Sequence, residues 1–360
     1  MPKHPLRALT ALAAATAAVT GLTACGGADG GDSSTLSVAV TTPSWNAGFA
    51  TLLVSQAEGY FEDEGIEVEF TLPPSGTQAA QQVIGGGADI ALVTPEPVVI
   101  GATKGTDLTY FANYYGDWIY GLATLDGSPI DDVADLAGKR IGVTNVSSSG
   151  ATYAKVAMQL AGLNPDDAEF VPIGVGAQQI TAIKDNQVDA LALWDTQYQI
   201  VRNAGITINE LSARSLDGMF GGGFVARGSE LESNPDAFVK FGRAIAKGVV
   251  YAQANPEAAI RTMWKAQPDT APGAGTSEEE ALAQQVKVLE TRLEGLGVQE
   301  GQTQWGVMDP ERVKRTIEFA EEAALIDQPV EVDSIVNTSL LDKINDFSQD
   351  DIREQATAGT

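Results

Sequence analysis

Short apolar runs typical of β-strands alternate with amphipathic helical patterns along most of this 360-residue chain. Chains in which strands and helices alternate in this way fold into largely parallel sheets covered by helices. The alternation therefore predicts an α/β fold. The predicted strands are 36–41, 66–72, 90–93, 108–112, 140–143, 170–173 and 190–194.

The alternation is divided into two blocks, which predicts two lobes. A second α/β block begins near Leu122, and the chain returns to the first block near 221–225. The segments 88–92 (ADIAL) and 188–192 (VDALA) are similar, and each leads into polar residues at the end of a predicted strand. We predict two doubly wound lobes joined by two crossover strands. Lobe I comprises 36–121 and 225–360, and lobe II comprises 122–224.

The first residues predict export. Lys3, His4 and Arg7 precede an apolar run, 8–19, that is too short to span a bilayer permanently. Small residues then lead to Cys25, the only cysteine of the chain. This arrangement resembles a bacterial lipobox, which implies a lipoprotein signal peptide at 1–24 and lipidation of Cys25. An ordinary signal peptide followed by an incidental cysteine is the alternative.

Residues 25–35 are predicted to be a flexible tether, because their Gly, Asp and Ser residues cannot bury apolar surface. Acyl chains on Cys25 would hold the protein at the membrane. No later segment is apolar enough to cross a bilayer. The expected location is therefore the cell membrane, lipid-anchored on the extracytoplasmic face.

The net charge of −26 excludes nucleic acid as a partner, since phosphates require a basic surface. The acidic residues are spread along the chain, as on a well-solvated surface. His4, the only histidine, lies in the predicted signal peptide. The remaining chain therefore lacks the residues for Ser-His-Asp or Cys-His catalysis and for a histidine-bound zinc site. We expect no enzyme activity, no metal and no cofactor.

Residues 56–68 (QAEGYFEDEGIEV) resemble a hallmark of the periplasmic binding proteins for nitrate, aliphatic sulfonates, taurine and thiamine precursors. The segments 87–91, 135–143 and 188–190 match the same family in the expected order. In physical terms, Gly59 and Gly65 mark a helix end and a turn, and Tyr60 and Phe61 anchor that turn on the core, so we assign the hallmark no ligand contact.

The resemblance implies a type II, Venus-flytrap binding protein that closes around a small solute. It also implies an ABC importer as partner, with a membrane permease and a cytoplasmic ATPase. No phosphate-binding loop is present here, because the glycines at 85–87 are not followed by Gly-Lys-Ser/Thr. The family also contains fungal pyrimidine synthases that consume an active-site histidine, a residue that this chain lacks beyond its predicted signal peptide. Nothing requires more than a monomer.

Ligands of open α/β sheets bind beyond the carboxyl ends of the strands, so the loops there supply the candidate ligand residues. Trp45 could stack on a planar ligand or pack in the core. Ser44 or Asn46 could instead cap a helix. The helix start near Ser149 could seat an anionic or carbonyl oxygen, or be no more than a cap. The candidates in these loops are Ser44, Trp45, Asn46, Ser75, Thr77, Thr94, Glu96, Ser147, Ser148 and Ser149.

Trp194 and Asp195 are the favoured specificity pair, because an indole beside a carboxylate suits a flat ligand that carries a donor or a positive charge. Asp117 and Trp118 are added from the aromatic segment near the crossover, which could also be a self-packed hinge. The candidate loops contain no Arg or Lys, and their carboxylates disfavour an anion. A thiamine-precursor-like heteroaromatic is therefore slightly favoured over a sulfonate, nitrate or taurine.

Two other functions are compatible with the sequence. The protein could be a ligand-sensing subunit that docks to a membrane receptor instead of a permease. It could also be a secreted hydrolase that uses a carboxylate pair, for example Glu96 and Asp195.

Overall fold

The computed structural model describes residues 34–211, 218–273, 275–296 and 304–358. The predicted signal peptide 1–24, Cys25 and nearly all of the predicted tether 25–35 lie outside these residues, so their assignments stay predictions. Ten strands are described: β1 Ser34–Val40, β2 Ile66–Thr71, β3 Ile90–Val93, β4 Thr109–Asn113, β5 Tyr120–Leu125, β6 Arg140–Val143, β7 Glu169–Pro172, β8 Ala190–Trp194, β9 Ile208–Leu211 and β10 Gly223–Ala226.

Helices cover the faces of the sheets. The α-helices of the described chain are α1 Ala50–Ala57, α2 Tyr60–Asp63, α3 Gly76–Ile84, α4 Pro95–Ala102, α5 Ser149–Leu160, α6 Ala177–Lys184, α7 Asp195–Asn203, α8 Gly228–Ser233, α9 Pro235–Ala254, α10 Pro256–Ala266, α11 Glu278–Leu296, α12 Pro310–Glu322, α13 Leu341–Ile344 and α14 Gln349–Ala358. Short 3₁₀ turns occupy Ala47–Phe49, Val133–Leu136, Pro165–Asp167, Pro268–Thr270 and Val332–Ser334.

The strands form two five-stranded sheets. The first has the order β2-β1-β3-β10-β4, and the second has the order β7-β6-β8-β5-β9. The predicted α/β fold with two sheet-built halves is thus confirmed. The sheets are mixed rather than parallel throughout, because β10 runs antiparallel to β3 and β4, and β5 runs antiparallel to β8 and β9. These are the strands that the chain enters after crossing from one sheet to the other, so they arrive from the opposite end. The residue bounds of the two lobes stay a prediction.

The similar segments 88–92 and 188–192 have the same role in the two sheets. The Asp89 carboxylate accepts a hydrogen bond from the Ser37 N–H at 2.8 Å, and the Asp189 carboxylate accepts one from the Arg140 N–H at 2.9 Å. Each aspartate precedes the central strand of its sheet and ties it to the neighbouring parallel strand. The two halves are therefore built on the same local plan.

The hallmark at 56–68 is structural. Gly59 and Gly65 have φ values of 79° and 72°, a left-handed conformation that costs other residues more than glycine. Between them, Tyr60 and Phe61 are buried, and the Phe61 ring stacks on Phe241 of α9 at 5.9 Å. The hallmark therefore anchors α2 on the core of the first sheet.

Helices α1 and α9 approach each other closely at Gly248. The Ser55 hydroxyl donates to the carbonyl oxygens of Thr51 and Ala244, both at 2.9 Å. A Cβ atom placed on Gly248 would lie 2.1 Å from the Ser55 Oγ and 2.5 Å from the Thr51 oxygen. This helix pair therefore leaves no room for a side chain at position 248.

We expect Gly248→Ala to lower the free energy of unfolding by about 1–3 kcal/mol, the usual cost of overpacking a core. Urea denaturation followed by circular dichroism measures this change. Gly273→Ala is the matched control, because a Cβ there meets no atom within 4 Å. Equal stability of the two variants would contradict the described helix packing.

Candidate functional site

A cavity of about 280 Å³ lies where the ends of the two sheets face each other. Thr41 and Thr94 follow β1 and β3 of the first sheet, while Tyr120 and Trp194 are paired residues of β5 and β8 in the second. The part of this space that water could occupy suits about one molecule, so the structure is a closed form. The walls consist of Thr41, Phe49, Leu92, Thr94, Tyr115, Ile119, Tyr120, Trp194 and Arg292.

Hydrogen bonds between loops of the two sheets hold this form closed. The buried hydroxyls of Thr94 and Ser149 share a hydrogen bond of 2.9 Å. At the surface, the Asn145 side-chain amide donates to the Pro74 carbonyl oxygen at 2.7 Å. The loops after β3 and β6 therefore meet across the boundary between the sheets, as the sequence predicted for strand ends that share a cleft.

Arg292 is a cavity residue that the sequence analysis missed. Its side chain is only 2% exposed, its Nη2 lies 2.6 Å from the Asp195 Oδ1, and its guanidinium stacks 4.7 Å above the Tyr115 ring. In α11, Arg292 lies on the same buried face as Val288 and Leu296. A charged residue at an apolar position of a helix was the feature of the sequence that could have identified it.

The candidate loops contain no Arg or Lys, but Asp195 and Asp117 have basic partners from distant helices. Burial raises the pKa of the Asp195 carboxyl, while Arg292 and the Thr196 N–H lower it. The Asp195 side chain keeps 26% of its surface exposed, so we give more weight to the ion pair than to burial. Asp117 is 65% exposed and pairs with Arg312 of α12. Both partners lie far away in the sequence, where spacing could not reveal them.

Glu96, in the first turn of α4, is the one candidate carboxylate that has no basic partner among the described residues. Both of its oxygens are buried and lack a hydrogen-bond partner there. Burial raises the pKa of this carboxyl, and the nearby hydroxyls of Ser149 and Thr94 oppose the shift. Those hydroxyls bond to each other, so at most one of their two protons is available to Glu96.

The indoles of Trp194 and Trp118 differ in their polar contacts. The Trp194 N–H donates to the Thr196 hydroxyl at 2.8 Å, and its ring meets Tyr120 edge-on at 6.3 Å. Trp194 therefore offers the cavity a ring without a free donor. Trp118 packs on Tyr120 and Tyr153, and its buried N–H has no partner within the described part of the chain.

The loop after β1 does not place Trp45 in this cavity. Its indole packs edge-on against Phe70 at 5.5 Å, as the alternative of core packing predicted. Asn46 caps the following 3₁₀ turn by accepting from the Gly48 N–H, and Ser44 is exposed. Trp45 and Asn46 instead line an open groove of about 970 Å³ together with Ala47, Gly176, Ala177, Ile180, Ile200, Asn203, Ala204, Thr270, Gln284, Gln285 and Val288.

Most of the remaining serine candidates act as helix caps. Ser75 accepts from the Gln78 N–H at the start of α3, and Ser148 accepts from the Ala151 N–H at the start of α5. The exposed Ser147 hydroxyl donates to the Asn145 side chain at 2.8 Å. Thr77 is exposed on α3. Of the candidates, Thr94 and Trp194 therefore line the cavity. Glu96, Ser149 and Asp195 lie next to residues of its wall.

The described residues contain neither a helix suited to span a membrane nor a cluster of side chains suited to bind a metal ion. Within 34–211, 218–273, 275–296 and 304–358, no helix combines the length and the apolar content needed to cross a bilayer. The same residues contain no group of three or more His, Cys, Asp or Glu side chains that could hold a metal ion.

Relatives match this chain over different lengths. The riboflavin-binding protein RibY of Chloroflexus aurantiacus is 25% identical over 293 residues, 80% of each chain. The 4-amino-5-hydroxymethyl-2-methylpyrimidine phosphate synthase of Schizosaccharomyces pombe is 29% identical over 138 residues, which cover 38% of this chain and 39% of the synthase. The relatives thus include both binding proteins and enzymes.

Among solved structures, the alkanesulfonate-binding protein SsuA from Xanthomonas axonopodis pv. citri, bound to MOPS, matches with a TM-score of 0.62 and 18% identity. The match covers 85% of this chain and 99% of SsuA. A conserved Candida albicans gene product with the generic periplasmic binding protein fold has a TM-score of 0.60 and 17% identity over 85% of this chain and 97% of its own. At such identities the likeness shows the fold.

The sequence model of the NMT1/THI5-like family matches residues 46–259, which is more than half of the chain. The matched range contains the hallmark at 56–68 and the segments 87–91, 135–143 and 188–190, so the resemblance drawn from them is confirmed. The chain therefore belongs to the NMT1/THI5-like family and has the periplasmic binding protein fold.

Proposed function

We propose that this protein is the extracytoplasmic solute-binding component of an ABC importer and captures a small organic solute between its two sheets. The observation that carries the proposal is the cavity shared by Thr41 and Thr94 of one sheet and Tyr120 and Trp194 of the other. In its closed form the cavity has room for little more than water, so a solute enters an open form and is trapped by hinge closure. A permease and a cytoplasmic ATPase are the proposed partners, and Cys25 is the proposed lipid anchor.

The walls of the cavity favour a flat solute. Phe49, Tyr115, Tyr120 and Trp194 surround it with rings, which suit stacking against a planar molecule. Because Asp195 forms an ion pair with Arg292, its carboxylate is a weaker argument against an anionic solute in the cavity. The preference for a thiamine-precursor-like heteroaromatic over a sulfonate, nitrate or taurine now rests on the rings, and a flavin-binding relative supports it.

Binding without turnover is favoured over the two catalytic alternatives. Asp195 is held by Arg292 and by the Thr196 N–H at 2.6 Å, so it is poorly placed to act in a hydrolytic carboxylate pair with Glu96. The only histidine is His4, which lies outside the family match at 46–259. A ligand-sensing subunit would bind the same solute, and deletion of the gene would then leave uptake intact.

The proposed function predicts that a small solute raises the melting temperature. A thermal-shift screen of aminopyrimidines, riboflavin, alkanesulfonates, taurine and nitrate tests it, because a ligand that binds only the native state stabilises it. We expect a heteroaromatic to give the largest shift, confirmed by calorimetry. If every compound left the melting temperature unchanged and none was turned over, the proposal would lose its basis.

Trp194→Ala should weaken binding on the order of 10- to 100-fold, because it removes a ring from the cavity wall. Trp194→Phe should stay within a few fold of the wild type, since the indole N–H is already engaged by Thr196. Isothermal titration calorimetry measures both affinities. A loss as large in the Phe variant as in the Ala variant would mean that the N–H, and not the ring, contributes.

Gly48→Ala should hinder closure. A Cβ at Gly48, beside the first sheet, would lie 3.0 Å from both the Cγ2 and the Oγ1 of Thr196, beside the second. The closed form becomes less populated, and we expect the apparent affinity to fall about three- to tenfold with little change in urea midpoint. Gly273→Ala, which adds a Cβ in open space, is the control. Unchanged affinity in Gly48→Ala would show that this contact does not take part in closure.

A further inference from the structure

We propose that Glu96 selects the solute, and that the solute presents an N–H donor to its carboxyl group. This inference rests on the proposed function and deepens it, since it names a chemical feature of the captured molecule. Glu96 lies in the first turn of α4, two residues after Thr94, which lines the cavity.

The hydrogen-bonding capacity of Glu96 is largely unused in the closed form, because the Thr94 and Ser149 hydroxyls can offer it at most one proton between them. An ionised carboxylate can accept about four hydrogen bonds, yet neither Glu96 oxygen, both of them buried, has a partner in the described part of the chain. An unpaired buried carboxylate is costly, and buried polar groups of folded proteins are almost always bonded. A bound molecule with an N–H group would remove this cost.

Among the residues that the structure describes, no cation near Glu96 could serve instead. Its pKa responds to burial and to the hydroxyls of Ser149 and Thr94, with no basic residue among the causes. Its ionisable neighbours are Tyr110 of β4 and Tyr120 of β5, and burial raises the pKa of both. They therefore stay neutral across the physiological range.

The helices next to α4 supply no counter-charge either. Helix α3, which packs on α4, carries no ionisable side chain over Gly76–Ile84. Helix α12 contributes the apolar Val313 and Ile317 to the core cluster that contains Val98 of α4. Its basic residues have other partners, since Arg312 pairs with Asp117, Lys314 with Glu318, and Arg315 donates to the Gly218 carbonyl oxygen.

An anionic group is unsuited to this position. A sulfonate beside Glu96 would oppose ionisation of its carboxyl group, because like charges repel strongly in a water-poor cleft. Arg292 cannot neutralise both, because Asp195 already occupies its Nη2 atom. The Nε–H of Arg292, which is buried and has no partner among the described residues, can donate a hydrogen bond to one neutral oxygen or ring nitrogen of the solute. A donor for Glu96 and an acceptor for Arg292 together describe an amino-substituted heteroaromatic ring.

The test compares three probes by calorimetry: 4-amino-2-methylpyrimidine, 2-methylpyrimidine without the amino group, and benzenesulfonate. We expect the wild type to bind the amino probe at least tenfold more tightly than the other two. Glu96→Gln should reduce this preference to below threefold, because an amide offers only one acceptor oxygen. Glu62→Gln, at an exposed glutamate on α2, is the matched control.

Equal binding of the three probes, or an unchanged preference in Glu96→Gln, would overturn the role of Glu96 and leave the binding function intact. Failure of every solute in the broader thermal-shift screen would overturn both.

The pH dependence of the unfolding free energy, measured without ligand, is an independent test. Because burial raises the Glu96 pKa, the native state keeps a proton that the unfolded chain has released, and the unfolding free energy falls as pH rises above the ordinary glutamate pKa. Glu96→Gln should remove that fall. A wild-type pH profile identical to that of Glu96→Gln would contradict the buried, partnerless carboxyl.

Discussion

The buried ion pair between Arg292 and Asp195 is the contact on which the closed arrangement of the two sheets depends. Arg292 belongs to α11, which packs against the 3₁₀ turn after β1 on one side and against α7 on the other. A guanidinium this deeply buried needs a partner, because an isolated charge in the interior is very costly. The pair therefore fixes α11 to the amino end of α7 and closes one wall of the cavity.

The opposite wall is held more weakly. There, the Thr94 and Ser149 hydroxyls share a neutral hydrogen bond. A single neutral hydrogen bond contributes only about 0.5–1.5 kcal/mol, so this side can open at small cost. The strong and weak sides together suit a hinged protein that opens beside Glu96 and Thr94. In the described part of the chain, the oxygens of Glu96 and the Nε–H of Arg292 have no hydrogen-bond partner.

The fold was largely predictable, and the exceptions have a common cause. The predicted strands at 90–93, 140–143 and 190–194 have the bounds of β3, β6 and β8. Apolar periodicity is a local property, so it locates such elements well. The antiparallel direction of β5 and β10 was missed because it depends on where the chain re-enters a sheet, which no local pattern encodes.

The candidate site was predictable to the extent that it follows strand ends: Thr94, Glu96, Ser149, Trp194 and Asp195 were found, and Arg292 was not.

The sequence by itself determined the elements, the two similar blocks, the family hallmark and the strand-end loops that border the cavity, because all of these are written in short runs of neighbouring residues. Only the tertiary structure decided how the charges are matched. It paired Asp195 with Arg292 and Asp117 with Arg312, and it packed Trp45 against Phe70. It also left both Glu96 oxygens without a hydrogen-bond partner among the described residues. The physical reason is that the cost of a buried charge depends on groups that meet it in space, and these partners are 97 and 195 residues away along the chain.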